Sequence, residues 1–249
     1  MTDADLAALA AMLAAGFLVD AVAGFGGTIL AVSLGAMRWP IAAVLARFLP
    51  LNLALSAYLA MRHRRDVDGR ELARRMAPAI AVGMAGGTAL ALVVSAERAK
   101  LGFAALVIVV SLRELIRLAR ARDAEAVPLR PVIATATLTA AGVIHGWFAT
   151  GGPLVVAVAS RRLTGKAALR ATLAVLWLAL NVVVVTRLAA HGELTGRTLV
   201  QSLAMSPALV LALIVGEWLH RRVSERGFRW LVAGLLLGTG GLLLARSLA

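Results

Sequence analysis

Two glycine-rich clusters stand 125 residues apart in this chain, Gly24-Phe25-Gly26-Gly27-Thr28 and Thr150-Gly151-Gly152-Pro153. Glycine lets the backbone turn sharply and lets a ligand come close to it. Pro153 suits the first turn of a helix, where its missing N–H costs nothing. A short helix is therefore expected after each cluster, over 28–36 and 153–159. The free N–H groups at a helix start, with the positive end of the dipole, suit an anion. The chemistry these residues offer is the grip of a small anion by main-chain groups. Thr28, Ser33 and Thr150 could add hydroxyl donors.

Charged and polar side chains inside apolar runs are costly, so they are functional candidates. Asp20 and His145 each lie six residues before the first glycine of the Gly26-Gly27 or Gly151-Gly152 doublet. Either could carry a proton; the plainer readings are a structural hydrogen bond for Asp20 and a satisfied core position for His145. Arg47 falls seven residues past Pro40, facing an anion pathway or snorkelling to the interface. Asn52 and Asn181 lie deep in their runs and either line a cavity or bridge helices. Trp39, Trp218 and Trp230 read as interface anchors, and Trp147 and Trp177 either wall the cavity or, as the plainer reading, pack in the core.

These residues must be positioned by a membrane protein. Of the 249 residues 61% are hydrophobic and 16% charged. Soluble domains average about 45–50% and about 25%. A 25.9 kDa chain cannot bury that much apolar surface in a soluble core. A spanning helix needs about 20 apolar residues. Simple spans are expected over 41–61, 76–94, 99–118, 169–188, 199–218 and 230–248, and glycine-interrupted stretches over 6–37 and 132–160. The first apolar run follows Asp3 and Asp5 with no basic residue before it, so a retained N-terminus is expected.

The two halves match beyond the glycines. Asp20 pairs with His145 at an offset of 125, and the segment at 68–72 pairs with that at 195–199. Asn52 pairs with Asn181, and Pro78 with Pro207, both at an offset of 129. The chain is read as a tandem duplication, 1–124 and 125–249, forming one integrated transmembrane domain.

Orientation follows from charge. If each broken stretch crossed fully, both halves would point alike, and the basic loops 62–75 and 161–170 would lie on opposite sides. If each is a hairpin that enters and leaves on one side, the halves are inverted. Nineteen of the 26 basic residues then fall in the inside loops 62–75, 113–130, 161–170 and 221–229. The positive-inside rule prefers the inverted arrangement, with both termini outside. The expected fold is all-α and polytopic, with two inverted repeats, each a re-entrant hairpin plus three transmembrane helices. Hairpin tips meeting near the midplane would make a substrate site.

The glycine segments carry a family resemblance. Residues 15–27, Ala-Gly-Phe-Leu-Val-Asp-Ala-Val-Ala-Gly-Phe-Gly-Gly, and 142–153, Gly-Val-Ile-His-Gly-Trp-Phe-Ala-Thr-Gly-Gly-Pro, resemble the two repeat motifs of the TauE/SafE sulfite exporter family. The resemblance covers nearly the whole chain, including the Ala-Leu-Arg-Ala-Thr run at 168–172. It implies a multi-spanning bacterial inner-membrane protein handling sulfite, sulfonates or related small organic or sulfur anions. Departures are Thr28 in place of a third glycine, Ser33 in place of a proline and His145 at an often acidic position; Arg47 is outside the pattern.

The substrate-binding residues expected are Gly24, Phe25, Gly26, Gly27, Thr28, Thr150, Gly151, Gly152, Pro153, Asn52, Asn181 and Arg47, with Asp20 and His145 for a coupling proton. The expected function is export of a small anion by proton-coupled alternating access. An uncoupled anion channel and a non-transporting membrane scaffold stay open as alternatives. No catalytic motif and no metal-ligand spacing is present in the sequence, so no enzyme, cofactor or metal is expected. The expected partners are the anion, the proton and the lipid bilayer, with a homo-oligomer allowed and no nucleic acid.

Overall fold

The computed structural model describes residues 2–23, 25–120, 129–163, 165–222 and 224–248. Among the described residues the fold is helical, with no strand. The α-helices are α1 (Asp3–Ala23), α2 (Gly27–Gly35), α3 (Ile41–Arg62), α4 (Gly69–Glu71), α5 (Ala77–Val93), α6 (Ala96–Ala119), α7 (Pro131–Phe148), α8 (Gly152–Ala159), α9 (Lys166–Ala190), α10 (Gly196–Ala204), α11 (Ser206–Arg222) and α12 (Glu225–Leu248). A π-helical turn, Leu72–Met76, joins α4 to α5 and makes Gly69–Val93 continuous.

Seven helical stretches among the described residues are long and apolar enough to cross a membrane. They are Asp3–Val22, Ile41–Arg62, Gly69–Val93, Pro131–Phe148, Ala167–Ala190, Gly196–Gly216 and Trp230–Leu248. The chain is a polytopic membrane protein. Three of the simple spans expected from sequence, 41–61, 169–188 and 230–248, fall within these stretches, and 76–94 and 199–218 overlap them but run one and two residues beyond. The stretch 99–118 is helical but is not one of the seven. Its helix, α6, carries Glu97, Arg98 and Lys100 at one end and Arg113, Glu114 and Arg117 at the other. Large apolar side chains stay exposed along the helices, among them Val82, Val93, Val109, Val132 and Ile214. A lipid-facing surface needs this pattern.

Both interrupted stretches break at their glycines, with unequal arms. α1 has 21 residues and α2 has 9; α7 has 18 and α8 has 8. At about 1.5 Å per residue, α1 alone matches the hydrocarbon thickness of a bilayer. α2 doubles back along α1, because Gly27 lies against Gly16 and Asp20, and Ala31 lies against Gly16. The two ends of this hairpin are tied by an ion pair between Arg38 and Asp5 at 2.5 Å.

The chain divides into two compact units, each built from both sequence halves. The first contains Met1–Phe48, Val94–Ala124 and Thr195–Ala249. Within it α1 packs on α2 and α11, and α6 packs on α12. Phe17 and Phe48 stack in its core with ring centroids 4.6 Å apart. Arg246, near the end of α12, donates to Met37 O, and Arg226 donates to Leu118 O.

The second unit contains Leu49–Val93 and Glu125–Leu194. Its main interface is α5 on α7, where glycines alternate across the seam. A Cβ on Gly83 would meet Thr139 O, and one on Gly87 would meet Val143 O. From the other side, a Cβ on Gly142 would meet Ile80 O, and one on Gly146 would meet Met84 O. Small residues let the two backbones touch, which is how helices associate where water gives no hydrophobic drive. Gly86, Gly234, Gly238 and Gly241 behave differently. A Cβ on any of them would meet nothing within 4 Å, so close packing does not explain them. Away from this seam, Glu71 accepts from Arg75 at 3.2 Å and from Arg162 at 3.4 Å, and the Asp68 N–H donates to Thr172 Oγ1 at 2.9 Å.

Candidate functional site

In the first unit the expected anion grip is already occupied by a side chain. Gly26 takes a left-handed φ of 93° and starts α2. The N–H of Gly27, in the first turn, donates to Asp20 Oδ1 at 2.7 Å. The carboxylate of Asp20 thus sits where a helix start would hold a negative ligand, and it satisfies an amide that α2 itself cannot pair. Phe25 and Thr28 are half-buried beside this turn, and Ser33 spends its hydroxyl on Ile29 O. Gly24 lies outside the described residues.

Asp20→Ala should therefore destabilise the fold by about 1–2 kcal/mol, the range for lost caps and charge-assisted hydrogen bonds. Asp20→Asn, which keeps an acceptor oxygen, should lose less than half as much. Thermal unfolding of the purified protein in detergent measures both, and equal losses would contradict the capping role.

Arg47 is 8% exposed and committed within the same unit. Its Nε and Nη2 both donate to Gln201 Oε1, at 3.0 and 2.7 Å, and its Nη1 donates to Ala43 O. Ser202 Oγ returns a bond to Arg47 O at 2.7 Å. This network fastens α3 to α10. Gln201 played no part in the sequence reading, because nothing local links it to a residue 154 positions away.

The second unit gathers the other expected residues. His145 lies in the last turn of α7, and the chain leaves that helix through Ala149 in a left-handed conformation with φ 57°. Thr150 follows, then Gly151, whose close neighbours are Ala141 O and His145 Cβ. Gly152 and Pro153 open α8, and both are half-buried. The His145 ring stacks on Trp177 of α9, with centroids 5.8 Å apart. One turn further along α9, Asn181 donates from Nδ2 to Asn52 Oδ1 at 2.8 Å. The symmetry-related asparagines thus bridge α9 and α3.

His145, Thr150 and Asn181 are buried, yet several of their polar atoms have no hydrogen-bond partner among the described residues. These atoms are both ring nitrogens of His145, Thr150 Oγ1 and Asn181 Oδ1; the indole Nε1 of Trp177 shares this state. Buried polar groups are nearly always paired, so such a concentration calls for an explanation. A bound polar guest or water supplies one. Arg187 stands close by: its Nη1 donates to Gly146 O at 2.8 Å, and it acts electrostatically on His145. Its charge favours an anion over a cation in this niche. The sequence contained a signal for Arg187, an arginine in the last turn of the apolar helix α9, but it was not among the candidate residues.

One comparison with known proteins gives a family. The family model described as Sulfite exporter TauE/SafE matches residues 8–243. No curated protein and no solved structure matches the chain.

Proposed function

The chain belongs to the TauE/SafE sulfite exporter family, and on that premise we propose that it exports a small sulfur-containing anion, sulfite or a sulfonate, by secondary transport. The observation that carries this reading is the group of buried, unpartnered polar atoms on His145, Thr150, Trp177 and Asn181, with Arg187 beside it. Such a niche stabilises a guest that brings its own hydrogen-bonding oxygens and a negative charge.

The proposed topology is two inverted repeats, residues 1–124 and 125–249, in a bacterial inner membrane with both termini outside. Several contacts support it. Arg162 pairs with Glu71, and Arg226 bonds Leu118 O; in each case two loops read as inside lie together. The Arg38–Asp5 pair brings the exit of the first hairpin back to its entry. Arg246 on Met37 O brings the end of α12 to the same place. The exchange of partners fits a duplication too: α1 packs on α11, its counterpart α7 on α5, and α6 on α12.

In the proposed cycle the anion enters the niche at the second glycine break and accepts from Thr150 and from the free amides of Gly151 and Gly152. The first break, closed by Asp20, serves as the matching half of the hairpin scaffold. Access alternates as the two repeats rock about the site. The coupling proton is carried by His145, the side chain of this niche whose ordinary titration lies near neutrality.

Purified protein in liposomes should move sulfite, and an imposed pH gradient should drive the flux above the rate seen with equal pH on both sides. Stopped-flow detection of sulfite on the far side of the membrane measures it. Flux that ignores the gradient would reduce the protein to a channel, and its absence with sulfite and sulfonates alike would end the reading.

A further inference from the structure

The two repeats differ at the aromatic position that packs against each glycine-broken helix. At the offset of 129 residues that pairs Asn52 with Asn181, Trp177 corresponds to Phe48. Phe48 is fully buried and stacks on Phe17, with the planes inclined by 13°. Trp177 stacks on His145 with nearly the same inclination, 11°. Stacking is therefore served by either ring. What the second repeat adds is an N–H group, and that group is buried with no acceptor among the described residues.

A phenylalanine would fill this place without the cost of desolvating an indole N–H, as its counterpart does. Resting on the reading of this chain as an anion transporter, we propose that Trp177 is a substrate-binding residue whose Nε1–H donates to an oxygen of the transported anion. The N–H has two properties that suit the task. It is a donor only, so it cannot accept from a protonated guest, and it has no charge, so it binds an oxyanion without holding it too tightly to release. It also shares its ring face with His145, which places the substrate oxygen and the proton carrier in one niche. Trp177 thereby links anion binding to the group proposed to carry the proton.

Trp177→Phe makes the second repeat match the first and tests the proposal. With sulfite as the probe in liposomes, the variant should insert and unfold at the wild-type temperature. Its KM should rise about tenfold, the value of one hydrogen bond to a charged group, while kcat changes less than twofold. Sulfite should shift the tryptophan emission of the wild type and leave that of the variant unchanged. 3-Benzothienylalanine at position 177, which keeps the fused ring and replaces only the N–H, should reproduce the rise in KM; it decides the matter if the phenylalanine variant does not fold. A folded variant with unaltered KM overturns the role of Trp177 and leaves the transport reading standing. Absence of both sulfite and methanesulfonate flux in the wild type overturns both.

Discussion

Gly142→Val should abolish recovery of folded protein, whereas Gly86→Val should leave it intact. A Cβ at residue 142 would meet Ile80 O and Met84 N, both backbone atoms of α5 that no rotamer change can move. The helices would have to separate along the whole seam. Gly83, Gly87 and Gly146, which touch backbone across the same interface, would lose their contacts with it. Overpacking a core costs about 1–3 kcal/mol when side chains can give way, and more when they cannot. A loss of about 3 kcal/mol lowers Tm by roughly 10 °C in a chain of this size. The wild type has little to spare, since folded proteins are stable by only about 5–15 kcal/mol. Gly86 is the internal control. It lies on the same helix between Gly83 and Gly87, yet a Cβ there meets nothing within 4 Å. Size-exclusion profiles and thermal unfolding in detergent compare the two, and indistinguishable variants would refute the seam.

The second large effect concerns coupling. His145→Gln should cut pH-gradient-driven sulfite flux by about 100-fold, the low end of what a positioned proton-transfer group contributes. Exchange of labelled for unlabelled sulfite without a gradient should stay within about threefold of wild type, because Gln keeps a donor and an acceptor in the niche. The contrast with Asp20 motivates the assignment. The Asp20 carboxylate accepts from Gly27 N–H at 2.7 Å, so protonating it weakens the start of α2. No side chain caps the start of α8, so protonating His145 undoes no such bond. Asp20→Asn should therefore retain coupled flux. The reverse result, with coupling lost in Asp20→Asn and kept in His145→Gln, would move the proton to the first repeat.

Features set by short stretches of chain were legible without coordinates. Hydropathy identified the membrane class, because a bilayer selects long apolar helices whatever their neighbours. The glycine clusters marked where helices end, since the left-handed turn at Gly26 strains any residue with a Cβ. The repeat offsets paired Asn52 with Asn181, and these two side chains do meet across 129 residues.

Partner choice was decided only by tertiary structure. Sequence spacing made Asp20 and His145 equivalents, yet packing gives one an amide to cap and the other an indole to stack on. Arg47 was open between an anion pathway and the membrane interface, and the fold gives its Nε and Nη2 to Gln201. Gly83 and Gly86 are the same residue three positions apart, but only Gly83 faces the neighbouring backbone. Trp177 stacks on His145 and Arg187 bonds Gly146 O because α9 turns these residues toward α7. Hydropathy and backbone preference act within a few residues of chain. Which polar atom finds a partner depends on the rotation and register of helices, some of them more than a hundred residues apart, and no local pattern encodes that.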